Sequence, residues 1–169
     1  IARAAGIILN WDDFDRLSKA VPLLARVYPN GQADVNHFHA AGGMSVLIAE
    51  LLSGGLLHED ILTIADQRGM NNYRQEPKLQ DGQLVWEPCP AASLDTSVLS
   101  SIAAPFAASG GLHVIHGNLG RGVSKISAVA EQHQIVSAPA VVFDDQDAMV
   151  AAFKRGELEK DFIAVIRFQ

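Results

Sequence analysis

The sequence is short of the residues on which several classes of protein depend. It has 169 residues and one cysteine, Cys89, so a disulfide within the chain is excluded, and a single thiol cannot by itself hold zinc or an iron–sulfur cluster. Lysine and arginine form no run, and the net charge is −6. Because binding to nucleic-acid phosphates needs clustered basic side chains, we expect no nucleic-acid partner.

Long hydrophobic runs are also absent. Apolar stretches such as 102–108 are far shorter than a bilayer span, and no signal-peptide pattern opens the chain, so we expect no membrane association and a cytoplasmic location. Apolar residues still make up 49% of the chain, which is enough for a buried core. Residues 1–6 resemble the last turns of a helix and residues 162–169 a strand that simply stops, so we expect a segment of a longer protein.

Capping residues and helical spacing predict three helices in the first part of the chain. The first begins at Asn10 or Asp12 and is broken or bent at Pro22. A second extends from 34 to 42, with an aspartate as its N-cap, and a third ends at the glycine pair 54–55. Each helix therefore has a start signal, a stop signal or both.

The pattern of residue types changes in the later part of the sequence. Residues 56–64 predict a connector and a short strand, and from 66 to 109 prolines and turn signals predict irregular connection. After Gly110, β-branched and aromatic runs predict strands, with one helix capped by an aspartate of the pair 144–145 and stopped at Gly156. We therefore expect a mixed α/β chain with a domain boundary between residues 1–109 and a β-rich part, 110–169.

A glycine-rich stretch, SGGLHVIHGNLGRGVSK, suggests a phosphate-binding loop at first sight, since glycines admit close approach of an anion and Arg121 and Lys125 carry positive charge. The spacing is not that of a dinucleotide or Walker motif. A strand-like run follows, whereas both motifs require a helix. The nucleotide interpretation fails, which leaves a glycine-rich strand connection or a loop that contacts an anion.

Other residues give no complete chemical site. His37 and His39 lie two residues apart, a spacing that points their side chains to different sides of a helix, and no carboxylate or cysteine completes a metal set with them or with His113 and His116. The acidic run 144–147 is explained by helix capping, and no serine sits in a nucleophile elbow. We predict no metal ligand and no catalytic residue in this chain, which from these residues alone is a soluble α/β protein of unknown activity.

Several longer stretches of the sequence resemble the dihydroxy-acid dehydratase and 6-phosphogluconate dehydratase family, and together they cover nearly the whole chain. They are DDFDRLSKAVPLLARVYPNG, HFHAAGGMSVLIAELLSGGLLHEDILTI, GGLHVIHGNLGRGVSKISAV and APAVVFDDQDAMVAAFKRGELEKDFIAVIRFQ. Two of these regions favour the 6-phosphogluconate branch, namely YPNGQADVNHFHAAGG and GNLGRGVSKISAV.

The resemblance implies elimination of water from 6-phospho-D-gluconate to give 2-dehydro-3-deoxy-6-phosphogluconate, the dehydration of the Entner–Doudoroff route, by a cytoplasmic homodimer. It also implies an iron–sulfur cluster, of the 4Fe–4S type in this branch, which acts as a Lewis acid on the departing hydroxyl while a base removes the C2 proton. The implied fold is the helical end of a large α/β domain followed by the first part of a swivelling β/β/α barrel.

The family's cluster cysteines are expected before Ile1, and its base after Gln169, so the resemblance implies that this segment alone is inactive. Cys89 matches none of the cluster motifs. A loop at the barrel mouth remains the candidate substrate contact, through Asn118 or Arg121, with Asn36 and His37 near a helix N-terminus as a second candidate.

Two alternatives stay open. The first is a dehydratase of the same chemistry that acts on another sugar acid or dihydroxy acid. The second, if the chain is complete as given, is a non-catalytic module that binds a small acid or a partner chain.

Overall fold

The computed structural model describes residues 1–64 and 69–168 of the chain. It divides into two compact units, Ile1–Val129 and Ala130–Gln169. The helices are α1 (Trp11–Ala20), α2 (Val35–Ala40), α3 (Gly43–Ser53) and α4 (Gln146–Lys154), and short 3-10 turns lie at Arg3–Ala5, Gly69–Arg74 and Glu131–His133. The strands are β1 (Gln75–Gln80), β2 (Gln83–Pro88), β3 (Leu112–Gly117), β4 (Gly120–Lys125), β5 (Ala140–Phe143) and β6 (Ile163–Ile166).

The mixed α/β class is confirmed. Within the described residues the strands form three two-stranded sheets, β1–β2, β3–β4 and β5–β6, and no closed barrel. In the same residues no helix has both the length and the apolar character needed to cross a membrane. The boundary between compact units falls at 129, whereas the predicted domain boundary near 109 refers to the longer protein and stays a prediction.

Helix α1 begins at Asn10 because its side chain accepts hydrogen bonds from the backbone N–H groups of Asp12 and Asp13, at 2.9 and 3.3 Å. The Asp13 carboxylate accepts from the Asn10 N–H at 2.9 Å, which completes a reciprocal capping box. The helix ends at Ala20, since Val21 is extended, as the residue before a proline tends to be. The predicted start and break are confirmed, with Asn10 rather than Asp12 as the cap.

Helices α2 and α3 follow each other with a turn at residues 41–42. Asp34 caps α2, and Gly42 stands at φ 116°, where a Cβ would lie 2.5 Å from Cγ2 of Val46. A glycine is therefore required at 42 by both backbone and packing. Helix α3 ends at Ser53 with Gly54 as its C-cap, so the predicted helix bounds in this region are confirmed.

The core of the first unit is built where the chain after Pro22 becomes extended. The N–H of Arg26 donates to the carbonyl of Val98 at 2.8 Å, and the N–H of Ser100 donates to the carbonyl of Leu24 at 2.7 Å. This pairing buries Leu99 completely, beside Val46 of α3. The hydrophobic core thus joins α3 to two extended segments that are distant in sequence.

Two sequence predictions in the middle of the chain are wrong. Residues 56–64 contain no strand, and the stretch predicted as irregular connection contains the antiparallel hairpin β1–β2. Asp81 and Gly82 form its turn with φ of 50° and 76°, the two positive values that a type I′ turn requires. The Asp-Gly signal was present, but β1 is polar and contains Pro77, which hides its strand character. The beginning of the irregular stretch, 66–68, lies outside the described residues.

The second unit is a parallel β–α–β arrangement. β5 pairs in parallel with β6, and α4 lies between them in sequence, as a parallel pair requires a crossover. Asp145 caps α4 by accepting from the N–H of Ala148 at 2.7 Å, and Gly156 follows its end at φ 72°. The predicted helix is confirmed, whereas of the strand run 134–143 only the last four residues form a strand.

Leu99→Ala tests the position of the core. Since Leu99 is 0% exposed, we expect its truncation to lower the free energy of unfolding by about 2–5 kcal/mol, measured by urea denaturation of the intact protein. Leu62→Ala is the matched control, because Leu62 is 83% exposed and its truncation should change stability by no more than about 0.5 kcal/mol. Equal effects of the two variants would contradict the assignment.

Candidate functional site

The glycine-rich stretch forms the hairpin of β3 and β4. His116 lies opposite Arg121 and Gly117 opposite Gly120, so Asn118 and Leu119 form the two-residue turn. Gly120 stands at φ 114°, a conformation that favours glycine. The strand predicted after the glycines is confirmed, and both Asn118 and Arg121 lie at the exposed end of the hairpin.

Helix α1 occupies the edge of β3 that faces away from β4. Oδ1 of Asp15 accepts from the N–H of Val114 at 3.0 Å, and Oγ of Ser18 accepts from the N–H of Leu112 at 3.1 Å. The backbone carbonyl of Ser18 accepts from the N–H of Gly110 at 2.6 Å. Helix side chains and a helix carbonyl therefore take the place that a neighbouring strand would have, and they fix the hairpin against α1.

Arg121 is held by the same helix. Its Nη2 lies 2.8 Å from Oδ1 of Asp12, and the two side chains are 41% and 55% exposed. An ion pair this accessible is screened by water and contributes little stability. The guanidinium is thus positioned at the hairpin end and still open to an anion from solvent.

The hairpin end is concave. Residues 115–122 line a cavity of about 330 Å³ that includes Asn118 and Arg121. Three of the eight lining residues are glycines, whose lack of a side chain leaves room for a ligand near the guanidinium. The two predicted contacts of this loop are therefore brought together.

Asp15 is the charged group on which the helix–hairpin contact depends. The Lys19 side chain, the N–H of Val114 and the nearby His113 all favour its charged form, and together they lower the pKa of Asp15 from its ordinary value. A lowered pKa means that the folded state holds the carboxylate more strongly than the unfolded chain does. The electrostatic contribution of Asp15 to the contact is therefore present above about pH 4 and is lost as the pH falls through the lowered pKa.

Asn36 and His37 occupy the first turn of α2. The carboxylate of Asp34 accepts from the N–H groups of both residues, at 2.9 and 3.1 Å, and Nδ1 of His37 lies 2.7 Å from the same oxygen. The N–H of His37 and then its ring lower the pKa of Asp34. An anion at these N–H groups would have to replace this carboxylate, and the role of the two residues in binding stays a prediction.

The structure brings together the members of each predicted pair. In the described part of the chain, no hydrogen bond or ion pair joins Asn36 or His37 to Asn118 or Arg121. No group of three His, Cys, Asp or Glu side chains in that part is arranged to hold a metal ion.

Sequence reasoning missed a second cavity, of about 440 Å³, at the beginning of α3. We call it the α3 cavity. It lies between α3, the turn 69–74 and the hairpin β1–β2, and its lining includes Met44, Ser45, Asn72, Tyr73, Glu76 and Trp86. The only sequence signal for it was the Asp-Gly turn of the missed hairpin.

Comparison with known proteins identifies the family. The family model described as dihydroxy-acid/6-phosphogluconate dehydratase N-terminal matches residues 1–72, and the corresponding C-terminal model matches residues 97–169. The chain belongs to the dihydroxy-acid/6-phosphogluconate dehydratase family. The family resemblance inferred from the sequence is confirmed.

Curated relatives are similar to this dehydratase-family chain over its whole length. It is 59% identical over 169 residues to the phosphogluconate dehydratase of Pseudomonas aeruginosa, and 55% identical over 170 residues to that of Rhizobium meliloti. A dihydroxy-acid dehydratase of Ruminiclostridium cellulolyticum is 32% identical over 171 residues. In each case 100% of this chain is covered, and it spans 28% of the relative's length.

Asp15→Asn tests the helix–hairpin contact. Asparagine keeps an oxygen acceptor but loses the charge, so we expect faster amide hydrogen exchange at 112–117 than in the parent protein at pH 7. The difference should shrink as the pH falls from about 4 through the lowered pKa of Asp15, because the parent's carboxylate then becomes protonated. Asp161→Asn, an exposed carboxylate of the second compact unit, should leave exchange at 112–117 unchanged at every pH. A pH-independent difference for Asp15→Asn would contradict the electrostatic account.

Proposed function

We propose that this chain is part of a hydro-lyase that removes water from 6-phospho-D-gluconate to give 2-dehydro-3-deoxy-6-phosphogluconate. The observation that carries the proposal is the difference in identity between the two branches. The chain is 52–59% identical to proteins named phosphogluconate dehydratase and 32% identical to one named dihydroxy-acid dehydratase. Sequence divergence of that size between branches favours the phosphorylated sugar acid as substrate.

Within that reaction, the chain supplies a substrate contact at the β3–β4 hairpin. The guanidinium of Arg121 binds an anionic group of the substrate, and Asn118 donates or accepts a hydrogen bond beside it. Arginine suits this role because its planar donor fork matches two oxygens of a phosphate or carboxylate at once. Asp12 holds the guanidinium in position until the anion arrives, and the open, exposed ion pair makes this exchange inexpensive.

The cofactor proposed for the reaction is a 4Fe–4S cluster, which would supply Lewis-acid chemistry at the leaving hydroxyl. The donor set of this chain does not fit such a cluster. Cys89 is its one thiol, it lies between Pro88 and Pro90, and its backbone N–H is bound to the carbonyl of Arg74. Cluster ligands are typically several cysteine thiolates, so we place the cluster on residues of the longer protein beyond this chain.

The finer architecture is also a proposal. Residues 1–109 belong to the end of a large α/β domain, and 110–169 begin a swivelling barrel whose mouth carries the β3–β4 hairpin. The longer protein is a cytoplasmic homodimer in which the substrate lies between the domains. The β-hairpin and the β–α–β arrangement are compatible with such a barrel as parts of it.

Arg121→Ala in the intact enzyme tests the substrate contact. Loss of a charge-assisted hydrogen bond of roughly 1.5–3 kcal/mol should raise KM for 6-phospho-D-gluconate about 10- to 100-fold, and Arg121→Lys should recover part of it. Arg155→Ala, which removes a surface ion pair with Glu157 in the second unit, is the matched control and should leave KM unchanged. Unchanged KM and kcat in Arg121→Ala would sink the assignment.

Asp12→Ala separates substrate contact from structural pairing. If Arg121 serves only its ion pair with Asp12, then Asp12→Ala and Arg121→Ala change KM equally. If Arg121 binds substrate, Asp12→Ala leaves KM unchanged or lowers it, because the guanidinium loses its competitor. The same assays, run with unphosphorylated gluconate and with a branched dihydroxy acid, decide between the substrate alternatives, and absence of turnover with every acid would favour a binding module.

Cys89→Ser tests the cofactor assignment. We expect the intact protein, purified without oxygen, to contain about four iron and four sulfide per chain, and Cys89→Ser to retain both with the same brown absorbance. Loss of iron in this variant alone would make Cys89 a ligand and contradict the assignment. A parent protein free of iron after anaerobic purification and reconstitution would overturn the cluster itself.

A further inference from the structure

We propose that the α3 cavity binds a small, flat and neutral molecule in which an aromatic ring carries an amide or lactam. This ligand is distinct from the phosphorylated acid of the proposed dehydration. The cavity's outer wall, the hairpin β1–β2, lies between the stretches matched by the two family models, 1–72 and 97–169. The family models therefore do not describe this wall, although the phosphogluconate dehydratases match the chain over its whole length.

The size and the apolar wall of the cavity suit a ring. Its volume of about 440 Å³ lies within the range of small-molecule sites, roughly 300–1,000 Å³. The side chains of Trp86 and Met44 are 56% and 58% exposed at its rim, and Tyr73 lines it from the turn before β1. Apolar and aromatic surface that water would otherwise cover is favourably buried against a flat ligand.

Asn72 supplies the cavity with a hydrogen-bond donor that needs an acceptor. The side-chain Nδ2 of Asn72 is buried and has no hydrogen-bond partner among the described residues. A buried donor without a partner destabilises the folded state, so buried groups of this kind are normally satisfied. Rotation of the side-chain amide toward the cavity that Asn72 lines would let a ligand carbonyl accept this hydrogen bond.

The Glu76 carboxylate supplies the same cavity with a hydrogen-bond acceptor, and its negative charge disfavours acidic ligands. Oγ of Ser45, a buried residue at the start of α3, lies 2.8 Å from Oε1 of Glu76 and orients that carboxylate. A ligand N–H can donate to this carboxylate, whereas a ligand carboxylate would meet like charge.

The positive groups on the cavity wall do not reverse this preference. Lys78 lines the wall but is paired with Glu87 at 2.7 Å, so its charge is already compensated. His39 is the other basic side chain on the lining. Asn72, which needs an acceptor, and Glu76, which can accept from a donor, both line the cavity, and an amide or lactam offers one C=O and one N–H to such a pair.

Binding of two probes to the intact protein tests the proposal. Nicotinamide presents a ring with a carboxamide and uracil a ring with a lactam, and calorimetric titration without substrate should give a Kd of about 1 mM for at least one of them. Nicotinic acid has the ring with a carboxylate and acetamide has the amide without a ring. Both should bind at least about tenfold more weakly.

Variants locate the binding. Asn72→Asp keeps the size of the side chain but replaces the donor by an acceptor, and Trp86→Ala removes the aromatic rim. Each substitution should raise the Kd of the probe that binds at least about tenfold. Gln83→Ala, an exposed position of β2 outside the lining, should leave the Kd unchanged, and thermal melting of all variants checks folding.

Three results would overturn the proposal: no saturable binding of either probe, equal binding of nicotinic acid and nicotinamide, or unchanged affinity in a folded Asn72→Asp protein. Trp86→Phe keeps a ring at the rim and should retain binding if the Trp86→Ala protein fails to fold. Because no turnover is measured, failure here leaves the proposed dehydration intact.

Discussion

The contact between α1 and the edge of β3 is the constraint on which the candidate substrate contact depends. A two-stranded hairpin by itself is at best marginally stable in water. Here Asp15 and Ser18 accept hydrogen bonds from the outer edge of β3, and that edge is thereby closed to other strands. The same helix carries Asp12, which positions Arg121. One helix therefore supplies both the support of the hairpin and the alignment of its guanidinium.

The ends of the hairpin are fixed by equally close contacts. A Cβ at Gly110 would lie 2.8 Å from Oγ of Ser18, and one at Gly111 would lie 2.3 Å from Oγ of Ser127. Ser127 in turn donates to Oδ1 of Asn30 at 2.8 Å, in the loop before α2. The glycine pair before β3 is thus explained by backbone approach to α1 and to the segment after β4. The glycines that first suggested a phosphate loop serve packing at one end of the hairpin and the turn at the other.

The parts of the fold with local signals were predictable from sequence. Asn10, Asp34 and Asp145 cap helices through contacts within three residues, so the cap and the helix start are encoded together. The hairpin β1–β2 was missed because β1 is polar and each strand contains a proline, although its Asp-Gly turn was visible. The predicted barrel stays a prediction, because the described strands form three separate two-stranded sheets.

The contacts of the candidate site are also of two kinds: local ones, which the sequence predicts, and tertiary ones, which it does not. The proximity of Asn118 to Arg121 follows from a two-residue turn and could be predicted from spacing. The pairing of Arg121 with Asp12 joins residues more than a hundred positions apart, and no local pattern announces it. The α3 cavity is likewise made by elements that meet only through tertiary packing.

The exposed ion pair also suits the proposed binding of an anionic substrate by an acidic chain. With a net charge of −6, the chain as a whole repels anions, so local positive charge must be held at a defined place. A buried ion pair would hold Arg121 firmly, but removing its partner would leave an uncompensated charge at a cost of several kcal/mol. An exposed pair fixes the side chain with little net free energy. A phosphate can then displace the single Asp12 oxygen, because it offers the guanidinium two oxygens at once.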